Sequence, residues 1–372
     1  MKKILLFSLI PLLLTSCNSN RKANILLGSE NYSTPIYLEG DDVKSQPKIL
    51  LNDLKNKLID KKEDSIVCVY GAYTCWCWKN FVSNCLNKLI ENYKCKIYCL
   101  QYSNLKDISE GEDQEEKDQA RTLLSLLKKG LTSDSETFYL IDDGQNIFHK
   151  TYNETDKFFS DYDTFENTIK DKIVFPKIID KKLSKIKTET LDCTDNETHL
   201  VYHHKESCED CSYIEKNMLK EYAEKNILKN ISMLNWDASE VKNYEDGYQK
   251  FKEDFSLNEQ NKKFGFGDGY APTFQVWKEK NVVDSITLFN DTILKSNDKY
   301  FVSSSFFNKE RINFISYIEK ENYSPIVGKE VALNELESYE EDGETKYFWK
   351  HEFASKVYEP YFESFANKYL KI

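Results

Sequence analysis

This chain of 372 residues has no surplus of positive charge: 51 Lys and Arg face 62 Asp and Glu, a formal net charge of -11. Nucleic acid is thereby excluded as a partner, since a phosphate backbone is held by clustered cations. The Lys and Glu runs are interspersed, as on solvated helix faces, and form no basic patch. Past its first residues the chain also lacks any apolar run long enough to span a membrane. Histidine is scarce, with five in all, and His149, His199 and His351 have no partner that the sequence identifies. What remains is a body of two domains, three at most, whose 14% aromatic content is enough for real cores.

The first residues read as an export signal. Lys2 and Lys3 precede an apolar run from Ile4 to Leu14, and Leu14-Thr15-Ser16-Cys17 follows as a lipobox. The run is too short to cross a bilayer as a helix. It resembles the signal of bacterial lipoproteins, which implies cleavage before Cys17, lipidation of its sulfur, and a chain tethered to the outer face of the cytoplasmic membrane. An uncleaved N-terminal anchor is the plainer alternative. Residues 18–46 are then expected to be a tether. Ten cysteines in an exported protein suggest a disulfide framework. Setting lipidated Cys17 aside leaves an odd number, so at least one thiol is free or intermolecular. Cys68 and Cys99 fall inside apolar strands and are expected as small buried hydrophobes.

The most telling feature is Cys208-Glu209-Asp210-Cys211. Residues 198–204 read as a strand, and Cys208 follows in a turn that opens a helix. Free amides and the positive end of the helix dipole favour a thiolate at that place. Further on, a glycine-rich loop leads into Ala271-Pro272-Thr273-Phe274, a proline that directly precedes an apolar strand, where its missing N–H costs no ladder bond. In this combination the chain resembles the thioredoxin superfamily, in which a C-x-x-C turn faces a cis-proline. The resemblance implies that Ala271-Pro272 is cis, that Cys208 attacks and Cys211 resolves, and that Ala271, Pro272 and Thr273 shape the groove for a protein substrate. No dissociable cofactor and no metal are implied, because the electrons reside in the cysteine pair. Two other readings stand beside this one. Cys208 and Cys211 also read as a static staple at the helix start. With His203 and His204 they read as zinc or copper ligands, although neighbouring residues on a strand point to opposite faces.

Sliding the chain along itself until Cys75 lies on Cys208 brings an earlier strand, helix and strand into register. After a further slip of three residues, Ser135-Glu136-Thr137-Phe138 falls on Ala271-Pro272-Thr273-Phe274. The pattern implies two tandem thioredoxin-like three-layer α/β/α domains at 47–175 and 176–322, each with a helical insert before its third core strand. Helical segments are expected at 49–59 and 178–186, before the first core strand of each domain. In the first domain Trp78 takes the place of the second motif cysteine, Cys77 sits one residue early, and Glu136 replaces the proline. Cys75 and Cys77 therefore read either as a second redox pair or as part of a degenerate docking domain. Tyr73, Trp76 and Trp78 read as a docking surface or as ordinary core. Residues 323–372 are expected to be a C-terminal extension with helical spacing over 347–370, kinked at Pro360.

The function expected is a membrane-anchored, extracytoplasmic thiol-disulfide oxidoreductase acting on protein thiols and disulfides. The alternative is a non-catalytic surface lipoprotein, a binding or accessory subunit of an export or bacteriocin-related system.

Overall fold

The computed structural model describes residues 21–131, 135–257, 271–287, 293–302, 330–341, 343–349, 362–363 and 365–372. Cys17, His351 and the stretch around Pro360 lie outside them. The chain enters through β1 (Ala23–Asn24) and β2 (Leu27–Ser29), then runs through β3 (Ile36–Leu38), β4 (Lys48–Ile49), β5 (Ser65–Tyr70), β6 (Ile97–Gln101), β7 (Thr137–Asp142) and β8 (Gln145–Thr151). These last six form one sheet in the order β4-β3-β6-β5-β7-β8. Its strands β3 to β6 run parallel, and β7 and β8 return antiparallel. All six residues of β5 are buried, as its unbroken Ser-Ile-Val-Cys-Val-Tyr run requires of a strand covered on both faces.

A short β9 (Ile173–Val174) pairs with β1 and leads into β10 (Ile178–Asp180), β11 (His199–His204), β12 (Ile231–Asn235), β13 (Thr273–Lys278) and β14 (Asn281–Thr287). The second sheet, β14-β13-β11-β12-β10-β2, repeats the order and directions of the first. Even its bulge recurs, after the fourth residue of β7 and of β13. Each sheet is covered on both faces. In the first, Leu54, Leu58, Leu105 and Leu123 from one helical layer cover one face, and Phe81, Leu89, Phe165 and Ile169 the other. In the second, helix 209–224 buries Ile214, Leu219 and Tyr222 together with Phe365 and Leu370 from the chain end. The opposite face holds Ile186, Trp236, Phe251 and Phe255. The architecture is mixed α/β, two three-layer units consistent with thioredoxin-like domains.

Three expectations change. The segment 18–46 is not a loose tether where it is described. Ile25, Ile36, Tyr37 and Leu38 are buried, because the segment supplies an edge strand to one sheet and a parallel strand to the other. The stretch 178–186 begins as strand β10, and its helix starts at Leu183. In the C-terminal extension residues 347–349, where helical spacing was expected, lie in a strand, part of a sheet that begins near the end of the second domain. β15 (Ile293–Ser296), β16 (Lys299–Val302), β17 (Glu330–Val331), β18 (Leu336–Glu341) and β19 (Glu344–Trp349) form a third sheet. The signal against a helix was the Asp342-Gly343 pair: Gly343 takes φ +78 in the two-residue turn between β18 and β19. Nearer the chain end the described residues 362–363, 365 and Ala366–Leu370 are helical, as expected. Residues 305–321, which by their amphipathic pattern are expected to form the last helix of the second domain, lie outside the described residues. Among the described residues no helix is long and apolar enough to cross a membrane.

The two units touch through charge. Lys220 reaches Asp142 at 3.2 Å and Asp64 at 3.3 Å, Arg21 reaches Asp142 at 2.5 Å, and Lys216 donates to the carbonyl of Lys61 at 3.1 Å. Gly28 of β2 sits in the seam. A Cβ there would lie 2.3 Å from the Lys94 carbonyl oxygen and 2.8 Å from Ile179 Cδ1, so no side chain fits.

Candidate active site

Strand β11 ends at His204, and after a short turn the chain enters helix 209–224 with Cys208 as its N-cap. Asp and Glu in the first turn suit a helix start, and Cys208 takes the capping role that Ser or Asp usually fills. The amide of Cys211 donates to Cys208 Sγ at 3.2 Å. Cys208 is half-buried and Cys211 fully buried, both as free thiols. The Cys208 thiol in turn faces the carbonyl oxygen of Ala271 at 3.5 Å. The Ala271-Pro272 bond is cis, as the resemblance implied. Thr273 is buried and shares a 2.7 Å hydroxyl contact with Thr287 of β14, which ties the start of β13 to the sheet edge. The sequence-predicted residues Cys208, Cys211, Ala271, Pro272 and Thr273 thus converge, although Cys208 and Ala271 are 63 positions apart.

The two sulfurs differ in acidity. The hydrogen bond from the Cys211 thiol and then the Cys211 amide hold Cys208 below the ordinary thiol value, against burial and the charge of Asp210, and nearby His204 assists. Burial pushes Cys211 far up, and the neighbouring Cys208 sulfur adds to that. Cys208 is the sulfur able to ionise and Cys211 the one that keeps its proton, a division suited to attack followed by resolution.

The two histidines part ways as strand alternation requires. His203 is buried against Trp236 and Phe255. Trp236 Nε1–H donates to its Nδ1 at 3.1 Å, so its Nε2–H donates to Gln275 Oε1 at 2.8 Å. Burial takes its pKa down to about 4, partly offset by the Gln275 contact. With both nitrogens engaged, His203 offers nothing to a metal, and the zinc or copper reading of Cys208, Cys211, His203 and His204 falls. His204 lies on the other face, with Nδ1 2.7 Å from Glu215 Oε1 in a charge contact rather than an aligned hydrogen bond. Burial would lower its pKa, but the Glu215 carboxylate overrides this and raises it. Tyr202 also donates to Glu215, at 2.8 Å. Sequence reasoning did not single out Glu215. Its signal was its spacing: seven residues after Cys208 is two helical turns, which returns to the same face.

The first cysteine turn is built alike and equipped otherwise. Cys75 is the N-cap of helix 76–93, and Cys75 and Cys77 are joined by a disulfide. Glu136 precedes β7, as Pro272 precedes β13, and its Oε1 lies 3.1 Å from Cys77 Sγ. The surrounding aromatics divide: Trp78 is buried and stacked on Tyr70 at 4.7 Å, Tyr73 meets Tyr37 edge-on, and Trp76 is 74% exposed. Cys68 and Cys99 are buried neighbours on β5 and β6, as expected.

Among the described residues another group whose ligand atoms come within 4.8 Å of one another is Cys193, Asp195 and His199. Its types suit a soft divalent metal. The partners of His199 that the sequence left open are thus Asp195, at 3.3 Å, and Cys193, at 3.4 Å. His149 lies over Tyr139.

No model of a known protein family matches the chain, and no curated protein matches it. Among solved structures it is similar to full-length ERdj5, at 10% identity and TM-score 0.25 over 67% of this chain and 28% of that one. It is also similar to human ERp44 form I, at 9% identity and TM-score 0.28 over 80% and 63%. The chain thus spans less than two thirds of the length of either.

Proposed function

We propose that the protein is a thiol-disulfide oxidoreductase, lipid-anchored through Cys17 at the outer face of the cytoplasmic membrane, that acts on protein thiols and disulfides through Cys208 and Cys211. The unequal acidity of these two sulfurs at a helix start, facing the Ala271 carbonyl, is the observation that carries this reading. In the reducing direction the Cys208 thiolate attacks a substrate disulfide and forms a mixed disulfide while one substrate sulfur leaves as a thiolate. Cys211 then gives up its proton and attacks Cys208 Sγ, which releases the second substrate sulfur and leaves the pair oxidised. Oxidation of a substrate dithiol is the same path reversed. Ala271, just ahead of β13 and outside its two ladders, offers backbone with which an extended substrate segment can pair. We further infer that the two units are copies of one ancestral module.

Reduction of insulin by dithiothreitol tests the reading: the protein should accelerate it, and Cys208→Ser should return the rate to that of dithiothreitol alone. A Cys208→Ser protein as active as its parent would refute the assignment. The exposed Trp76 beside a cysteine turn without its proline favours a second reading, in which the first unit serves to dock a protein partner, as an accessory subunit of an export or bacteriocin-related system would.

A further inference from the structure

Folding gives no reason for a carboxyl group where the first unit keeps Glu136. The residue is 3% exposed, and its Oε2 has no hydrogen-bond partner, an arrangement that disfavours an ionised carboxylate. Its Oε1 is 3.1 Å from Cys77 Sγ. A sulfur already bound in a disulfide has no hydrogen to donate, so the proton in this contact belongs to the carboxyl group, which donates it toward Cys77. Burial raises the Glu136 pKa, against its own backbone amide, and no charged side chain enters the balance. Other titratable groups on the elements around it are Tyr73 ahead of helix 76–93, Tyr152, whose backbone N–H donates to the Glu136 carbonyl, and Lys150, which is neutralised by Asp156 at 2.6 Å.

We propose that Cys75, Cys77 and Glu136 form a second thiol-disulfide centre, independent of Cys208 and Cys211, in which the Glu136 carboxyl supplies the proton that Cys77 takes up when the disulfide opens. The co-reactant is a dithiol, of a protein or a small molecule. Its thiolate attacks Cys75 Sγ, the N-cap sulfur in the position that Cys208 holds in the other unit. The Cys75–Cys77 bond breaks, its electron pair stays on Cys77 Sγ, and that sulfur takes the Glu136 proton. The second thiolate of the dithiol then attacks its own sulfur in the mixed disulfide and releases Cys75 as a thiolate. The protein disulfide is reduced to two thiols, the dithiol is oxidised to a disulfide, and Glu136 recovers a proton from solvent. Closure runs the same steps backwards, with the Glu136 carboxylate as the base that deprotonates Cys77. The exposed Trp76 between the two cysteines gives the incoming molecule an apolar contact at the point of attack.

The test uses the full chain carrying Cys208→Ser and Cys211→Ser, so that failure of the other centre cannot be confused with failure of this one. Opening of the Cys75–Cys77 disulfide by dithiothreitol is followed by quenched alkylation and mass measurement between pH 5.5 and 8, and each rate is divided by the thiolate concentration. The normalised rate should fall as pH rises and Glu136 loses its proton, by roughly tenfold, less than a positioned acid usually contributes because a thiolate is a fair leaving group unaided. Glu136→Gln should start at the lower value and stay flat. A flat profile for the chain with Glu136 intact overturns the proposal, whatever the variant does, and so does a Glu136→Gln protein that matches its parent at every pH.

Discussion

The two cysteine turns occupy the same place in two sheets of the same order, yet only one has the equipment of a freely exchanging thiol pair. At Cys208 the helix start, the amide of Cys211 and the nearby His204 all favour a thiolate, and the second sulfur lies one turn deeper, protonated by burial. At Cys75 the second sulfur is two residues on and joined to the first, and a carboxyl stands where the other unit has its proline. The difference teaches that the scaffold fixes a meeting point between a helix start and the residue before a returning strand. What chemistry occurs there depends on two or three side chains.

The largest effect that would break this comparison is a failure of the turns to separate by mutation. Cys208→Ser should remove insulin reduction entirely, and Cys75→Ser with Cys77→Ser should leave most of it. Equal losses would mean that the two turns work as one site.

Alkylation sharpens the contrast within the second turn. In the reduced protein, iodoacetamide should reach half its maximal rate at Cys208 below pH 9.0, the ordinary thiol value. Cys211 should stay unmodified over the same range, since its thiolate forms only at far higher pH. The sign follows from the shifts: a lowered pKa puts thiolate at lower pH, a raised one withholds it. His204→Gln removes a positive charge that favours the Cys208 thiolate and should move that midpoint upward. Peptide mapping after timed alkylation reads both sulfurs at once.

Smaller still is the effect of the acids between the cysteines. Glu209→Gln with Asp210→Asn takes negative charge away from Cys208 and stabilises its thiolate, hence the reduced form. The reduction potential should rise, by about 20 mV or less per charge because both sit near solvent. Smallest on the chemistry, though not on the fold, is Gly28→Val. Its side chain would collide with the Lys94 carbonyl in the seam and should cost about 1–3 kcal/mol of stability in denaturant, while Cys208 alkylation stays as it was.

Much of this was legible in the sequence. The strands around both turns and the helix starts follow from spacing, from unbroken apolar runs such as Ile66 to Tyr70, and from where a proline can sit, whereas the meeting of Cys208 with Ala271-Pro272 was implied by the resemblance alone. Other features were hidden for physical reasons. Strands of two or three residues, such as Ile36–Leu38 and Leu27–Ser29, are too short to show a period, so a segment that closes two sheets resembled a tether. Over 347–349 aromatic spacing imitated a helix, while the Asp-Gly pair before it marked a hairpin. The role of Glu136 needs the third dimension, because only the fold brings its carboxyl to a sulfur 59 positions earlier.

The most direct test of the account is a redox titration of the Cys208/Cys211 pair in a chain lacking Cys75 and Cys77. The account predicts a single reversible two-electron transition, more reducing than that of strongly oxidising cysteine pairs because Asp210 opposes the Cys208 thiolate. Two sulfurs that stay reduced, or stay joined, across the whole range of glutathione buffers would contradict it.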